Sequence, residues 1–137
     1  MKPEITDPIE YARVVVGGDP YASYLGIEIE EVREAYARVS LKVKPEYMNA
    51  VDRAHGGAVY MLLDQALAVA ANSRGIPAFT MSITVNYHSG APGGTTVVAE
   101  AKPVDLKRKI SVWEVEARTR EDGKLIASAV ATAYHQG

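Results

Sequence analysis

Residues Gly56-Gly57-Ala58-Val59-Tyr60-Met61-Leu62-Leu63-Asp64-Gln65-Ala66-Leu67-Ala68-Val69-Ala70-Ala71 are apolar throughout except at Asp64 and Gln65. The run is preceded by a polar loop ending in paired glycines and followed by Arg74-Gly75-Ile76-Pro77, so the spacing predicts a helix from Ala58 to about Arg74, with Gly75 and Pro77 as its stop signals. It falls short of the roughly 18 apolar residues that a membrane span needs. A helix apolar nearly all round must be covered on most sides, so the rest of the chain is expected to wrap it.

Working outward, the flanking sequence supplies strands. Between Tyr24 and Val43, Ile27/Ile29 and then Ala37/Val39/Leu41/Val43 alternate with polar partners around a break at Arg33-Glu34, which reads as a hairpin. Downstream, Thr80–Tyr87, Thr95–Ala101, Lys109–Thr119 and Leu125–Tyr134 have strand character, separated by turns at 89–94, Val104-Asp105-Leu106-Lys107 and Glu121-Asp122-Gly123. Strands following one another through short turns imply a mostly antiparallel sheet, and the class is α+β. Upstream, Asp7-Pro8-Ile9-Glu10 carries an N-cap, a proline at the first helical position and an early acid, predicting a short helix that ends near Gly17-Gly18. The whole of 1–137 reads as one domain, with 1–20 as an N-terminal helical extension.

Composition removes several functions. Fifteen Lys+Arg against seventeen Asp+Glu leave a net charge of -2, so no basic field draws the chain to nucleic acid or to a membrane surface. With no cysteine there is no disulfide, thiolate metal site or cysteine nucleophile. The first residues carry Glu4, Asp7 and Glu10 ahead of any long apolar stretch, unlike a secretory leader, so the expected location is the cytoplasm. No Gly-x-Ser-x-Gly is present, and His55, His88 and His135 lie too far apart for a zinc helix motif, so neither a serine triad nor a metal is expected.

Chemistry concentrates where the loop Met48-Asn49-Ala50-Val51-Asp52-Arg53-Ala54-His55 meets the buried helix. A helix N-terminus offers unpaired N–H groups and a partial positive charge, and Gly56 and Gly57 let another molecule approach that backbone. Such donors suit an oxygen that becomes negative during acyl transfer. Asp64 is the second anomaly, since a carboxylate among apolar neighbours needs a hydrogen bond, a counter-charge or a wet cleft. Its bland reading, with Gln65, is an exposed stripe or a cap on neighbouring backbone. Gly57 and Asp64 stand seven residues apart, about 10 Å along a helix axis, so one carbonyl cannot meet both on one helix. If both act on one bond, Asp64 comes from a second, antiparallel copy, giving two sites per two-fold dimer.

Asn49, His55-Gly56-Gly57 six residues on, and Asp64 nine residues after the histidine resemble, in type and spacing, the PaaI-like thioesterases of the hotdog superfamily. The likeness continues through Ala71-Asn72-Ser73-Arg74-Gly75, Val85-Asn86-Tyr87 and Gly123-Lys124-Leu125-Ile126-Ala127, covering roughly residues 20–135. The resemblance implies a long helix wrapped by a curved antiparallel sheet, homo-oligomers (dimers commonly assembled into tetramers), and hydrolysis of acyl-CoA thioesters. On this sequence it gives Gly57 N–H as the donor to the thioester carbonyl. Asp64 of the partner activates water or attacks directly, Asn49 helps place the water or thioester, and His55 contacts the carbonyl region or braces the loop. Thr80 stands where some relatives have a serine near the acyl group, with Ser82 two residues on. No metal or redox cofactor is implied, coenzyme A being part of the substrate. Gly56 would admit the substrate, Tyr60 and Phe79 would line an acyl pocket, and Arg108, within Lys107-Arg108-Lys109, is the candidate for a coenzyme A phosphate, its bland reading being a solvated turn. One rival is a hotdog hydratase or dehydratase, whose histidine-and-acid pattern is absent. The other is a hotdog dimer that binds acyl-CoA without turning it over.

Overall fold

The computed structural model describes residues 4–137; the first three residues of the 1–20 extension lie outside them. The Asp7 carboxylate accepts from Ile9 N–H and caps α1 (Pro8–Glu10), which runs on as a π-helix, Tyr11–Val16. The same Asp-Pro signal recurs at Asp19-Pro20, where Asp19 accepts from Ala22 N–H at the start of α2 (Pro20–Leu25). Sequence reasoning treated Tyr24 as the beginning of a strand region; the second Asp-Pro cap and Gly26, at φ 79°, make it the end of a helix.

The predicted hairpin is β1 (Glu28–Arg33) and β2 (Tyr36–Lys42), joined through Glu34-Ala35. Next comes the long helix, α3 (Gly56–Asn72), and then β3 (Ala78–Tyr87), β4 (Thr96–Leu106), β5 (Ile110–Thr119) and β6 (Leu125–His135). All neighbours pair antiparallel in the order β1-β2-β4-β5-β6-β3. The order departs from the chain order because α3 crosses the sheet between β2 and β3, delivering β3 to the far edge beside β6.

Beneath α3, strand alternation turns Val39, Leu41, Val97, Ala99, Trp113, Val115, Ala129 and Ala131 inward against Leu62, Leu63, Leu67 and Val69, all buried. Alanines at 127, 129, 131 and 133 on β6 keep that strand's inner side low, so the helix can approach closely. Each fully buried leucine contributes about 1.5–3 kcal/mol of transfer free energy, which is what seats α3 on the sheet.

Two bulges adjust the expected strands. The predicted turn at 104–107 is instead the end of β4: Pro103 pairs with Trp113, the register shifts at Val104, and pairing resumes at Asp105. Proline has no N–H to donate, and the bulge lets the ladder continue past it to Leu106. The second bulge lies in β3 between Thr80 and Ser82, and it decides the placement of two candidate residues below. His135, read from sequence as part of a tail, is the last residue of β6 and is completely buried.

Candidate active site

The loop before α3 is tied down by its own backbone and by one side chain. Asn49 Oδ1 accepts from Val51 N–H at 3.0 Å and Arg53 N–H at 3.1 Å, while Asn49 N–H donates to Arg53 C=O at 2.7 Å. Short asparagine side chains favour such local turns, and Asp52 takes a positive φ of 58° inside this one. His55 N–H then donates to Tyr47 C=O at 2.7 Å and Ala54 N–H to Ala91 C=O at 2.8 Å, which fixes the chain's entry into the helix. Within this chain, the Asn49 carbonyl oxygen is engaged in holding the loop that presents His55.

His55 is the N-cap of α3, and its Nδ1 accepts from Gly57 N–H at 2.9 Å. The imidazole thus does what a Ser or Asp cap does elsewhere, satisfying one of the first-turn donors. His55 and Gly57 are exposed, so a ligand oxygen can reach this donor and compete with the imidazole. On the other side of the same peptide, Tyr87 Oη donates to Gly56 C=O at 2.9 Å. In the sequence Tyr87 stands out only within Val85-Asn86-Tyr87, part of the family likeness. The alternation Ile83, Val85, Tyr87, turned toward the helix side opposite Ala131, Ala129 and Ala127, is the signal that could have found it. Burial, followed by the nearby Tyr60, pushes its phenol above the ordinary value.

One turn and more along α3, Asp64 is half-buried, and its Oδ1 accepts from Thr80 Oγ1 at 2.7 Å. The structure therefore brings Asp64 and Thr80 together. It separates Ser82 from them. Thr80 pairs with Ala133 on the inner side, but after the bulge Ser82 pairs with Thr132 on the outer side, where the two hydroxyls lie 2.7 Å apart. An unbroken strand would have put residues 80 and 82 on one face; the extra residue at Met81 puts them on opposite faces. Phe79 is also outside, 5.4 Å from the Tyr134 ring, whereas Tyr60 belongs to α3. Within one chain the pair does not face a common pocket.

Gln65, paired in sequence reasoning with Asp64 as an exposed stripe, is buried and donates to Val16 C=O at 2.9 Å, capping the end of the π-helix. The stripe that α3 leaves uncovered is instead Gly57, Tyr60, Met61, Asp64 and Ala68, at three- and four-residue spacing. Beside it runs β3, the sheet's edge, with Met81 57% and Tyr87 53% exposed.

Arg108 lies in the β4–β5 turn, exposed, donating to Gly137 C=O at 3.1 Å. That turn is held at the C-terminal end of α3 by Arg74, whose Nη1 donates to Lys107 C=O at 3.0 Å. Arg108 and the His55-Gly57 turn therefore stand at opposite ends of a 17-residue helix, about 25 Å apart along its axis.

The sequence model of the Thioesterase superfamily matches residues 52–126, from the loop before His55 to the start of β6. The chain belongs to that superfamily. As a thioesterase it is an enzyme, and its fold is the hotdog fold. An Archaeoglobus fulgidus protein is 38% identical over 116 residues, 85% of this thioesterase and 75% of that protein. The Escherichia coli acyl-coenzyme A thioesterase PaaI is 30% identical over 105 residues, 77% of this thioesterase and 75% of that one. The solved structure of E. coli PaaI superposes with a TM-score of 0.90 at 25% identity, covering 98% and 97% of the two chains. A Streptococcus pneumoniae protein solved with coenzyme A gives 0.76 at 26% identity, covering 81% and 89%. This thioesterase is therefore PaaI-like in sequence and in shape.

Proposed function

We propose that this thioesterase hydrolyses acyl-CoA thioesters, aryl, phenylacetyl or short to medium straight-chain, to the free acid and coenzyme A, in sites shared between two copies of the chain. The observation that carries the reading is Asp64: a carboxylate half-buried on the uncovered stripe of α3, oriented by Thr80 through one oxygen, on the same face as Gly57 but about two turns away. One helix cannot bring Gly57 and Asp64 to one carbonyl, whereas two antiparallel copies packed along that stripe can. The stripe's small or flat residues, Gly57 and Ala68, permit a close helix approach, and the adjacent β3 edge offers unpaired backbone to a second β3. Family resemblance supports pairing of such dimers into a tetramer.

In the reaction, the thioester carbonyl oxygen replaces His55 Nδ1 as acceptor of Gly57 N–H. The first-turn donor and the helix dipole stabilise the negative charge that grows on that oxygen, and one donor of this kind is typically worth about 3–4 kcal/mol. Asp64 of the second copy either deprotonates the attacking water, or attacks the carbonyl carbon itself to give an acyl-aspartyl anhydride that water then hydrolyses to the free acid; coenzyme A thiolate leaves in both cases. Asn49 holds the loop that presents His55 and Gly57, and Gly56 keeps the approach open. Arg108, in the β4–β5 turn at the far end of α3 in its own copy, is nearer to coenzyme A bound at the His55-Gly57 turn when it comes from the other copy. Tyr60 and Phe79 are acyl-pocket walls only if each copy contributes one of them. The chemistry calls for no metal or redox group. Among the described residues no helix is long and apolar enough to cross a membrane.

The test is thiol release from phenylacetyl-CoA, benzoyl-CoA and straight-chain acyl-CoAs, measured for the wild type and Asp64→Ala side by side. A chromogenic thiol reagent reads coenzyme A cleanly because the protein has no cysteine of its own. The expected outcome is turnover on at least one ester that is lost in the variant while ester binding persists. Ester binding without turnover in the wild type would contradict the reading.

A further inference from the structure

Arg74 stands where α3 ends, half-buried, and its guanidinium joins a buried cluster to an exposed turn. On the buried side its Nη1 lies 3.2 Å from His135 Nε2, which also meets Ser111 Oγ at 2.7 Å. A guanidinium only donates, so Nε2 accepts and the imidazole proton sits on Nδ1, 3.2 Å from Ile76 C=O. Ser111 Oγ accepts in turn from Trp113 Nε1. Arg74 is thereby anchored on a cluster whose His135 and Ser111 are completely buried.

On the exposed side the same Nη1, which carries two hydrogens, donates to Lys107 C=O at 3.0 Å. That carbonyl opens the turn between β4 and β5, whose ends are tied by Lys107 N–H to Ile110 C=O at 3.1 Å and by His135 N–H to Lys109 C=O at 2.8 Å. Lys107 C=O belongs to the planar peptide that leads into Arg108, so holding it sets the direction in which the Arg108 side chain leaves the backbone. Within the turn Lys107 pairs with Asp105 at 2.9 Å, whereas Arg108 and Lys109 have no acid partner among the described residues. Arg108 spends one of its several donors on Gly137 C=O.

Length then places this turn relative to a shared site. If Asp64 of one copy meets an ester held at the N-terminal turn of α3 in the other, Arg74 of that first copy lies ten residues further on, about 15 Å from the reacting carbon at helical rise. Coenzyme A has about thirteen bonds between its sulfur and its nearer phosphorus, which span roughly 15 Å when extended, as a peptide chain of that many bonds does. The two lengths agree.

We infer that Arg74 is a positioning residue for coenzyme A recognition: by holding the Lys107 carbonyl it aims Arg108 at the phosphates of a coenzyme A ester bound in the site shared with the other copy. The inference rests on the shared-site reading proposed above. A guanidinium–phosphate pair is directional, so it gains from a side chain whose course is set in advance. The contact is remote from the reacting carbon and is the same before and during reaction, so its loss raises KM and leaves kcat.

The experiment compares the wild type, Arg74→Met, Arg108→Ala and the double variant on one acyl group presented as its coenzyme A ester and as its pantetheine ester, which has no nucleotide phosphates. Methionine keeps an unbranched stem at the helix end and removes the donors. The expected result for Arg74→Met is a KM raised about tenfold on the coenzyme A ester, the order of one charge-assisted hydrogen bond, with kcat within about twofold and the pantetheine ester unaffected within about twofold. The double variant should be no worse than Arg108→Ala, because Arg74 acts through Arg108. Equal losses on both esters would mark Arg74 as a residue of the fold alone and overturn the inference, as would an unchanged KM or losses that add in the double variant. If Arg74→Met does not fold, Arg74→Gln carries the same comparison with the same outcomes, its shorter chain keeping a polar end for the His135 side. Were the wild type to hydrolyse no ester, the proposed function would fail, and calorimetric binding of coenzyme A against pantetheine would decide: coenzyme A bound about tenfold more weakly by Arg74→Met would support the inference, and an unchanged affinity would overturn it.

Discussion

The two ends of α3 solve the same problem in opposite ways. At the C-terminal end the polar side chains of Asn72 and Ser73 are buried. Asn72 Nδ2 lies 2.9 Å from Ala68 C=O and 3.1 Å from Ala78 C=O, its Oδ1 accepts from Ala78 N–H, and Ser73 Oγ accepts from Ala35 N–H. Beyond them, Trp113 Nε1 donates to Ser111 Oγ, which lies 2.7 Å from His135 Nε2, and Arg74 approaches the same nitrogen at 3.2 Å. At the N-terminal end Gly57 N–H is met by one exposed imidazole and the Gly56 carbonyl by one phenol. Buried polar groups satisfied among themselves have nothing left for a ligand. A donor capped by an exposed side chain can exchange its partner. The closed end holds the helix in place; the open end is where chemistry fits.

The comparison breaks most sharply through stability. Trp113→Ala removes a fully buried ring and the partner of Ser111, and should cost about 3–5 kcal/mol in urea or thermal unfolding. A milder intervention is pH. Burial lowers the His135 value below its ordinary one; the Ile76 C=O pulls the other way by less, and the Arg74 charge adds the smallest push downward. The unfolded chain therefore binds a proton more readily than the folded one. The stability that neutral His135 confers is complete above the ordinary histidine value of about 6.5 and is lost as pH falls below it toward the lower folded value. The melting temperature should fall between pH 7.5 and 5.5, and His135→Gln should flatten that slope; an unchanged slope would remove His135 as its source. Smallest in stability is the open end. Gly57→Ala, whose Cβ would stand 3.4 Å from His55 Nδ1, should shift stability by under about 1 kcal/mol. Its kcat should nevertheless drop about a hundredfold as the methyl intrudes on the oxyanion position. Equal losses of stability and activity there would erase the contrast.

Much of this was legible in the sequence because it follows from local pattern. The apolar run behind Gly56-Gly57 announced a wrapped helix, while Asn49, His55, Gly57 and Asp64 pointed to a candidate site through the family they resemble. What escaped reading depended on pairing between distant strands. The bulge at Met81, which parts Ser82 from Thr80, is one inserted residue with no glycine or proline to mark it. His135 looks like a tail until β6 is seen to include it as its last residue, where Ser111 and Ile76 meet the imidazole. Gln65 looked like a partner of Asp64, yet at i+1 on a helix it points about 100° away, into the N-terminal segment. Tyr87 was visible as a letter, but its contact with Gly56 joins residues 31 positions apart.

The central claim, that each site draws Gly57 from one copy and Asp64 from another, is tested most directly by complementation. Asp64→Ala and Gly57→Val are purified, each inactive by itself, then unfolded together and refolded as a mixture. Random pairing makes half the dimers mixed, and each mixed dimer carries one site with both defects and one with neither, so about a quarter of wild-type turnover should return. A mixture that forms mixed dimers yet stays as inactive as its parents would contradict the shared site.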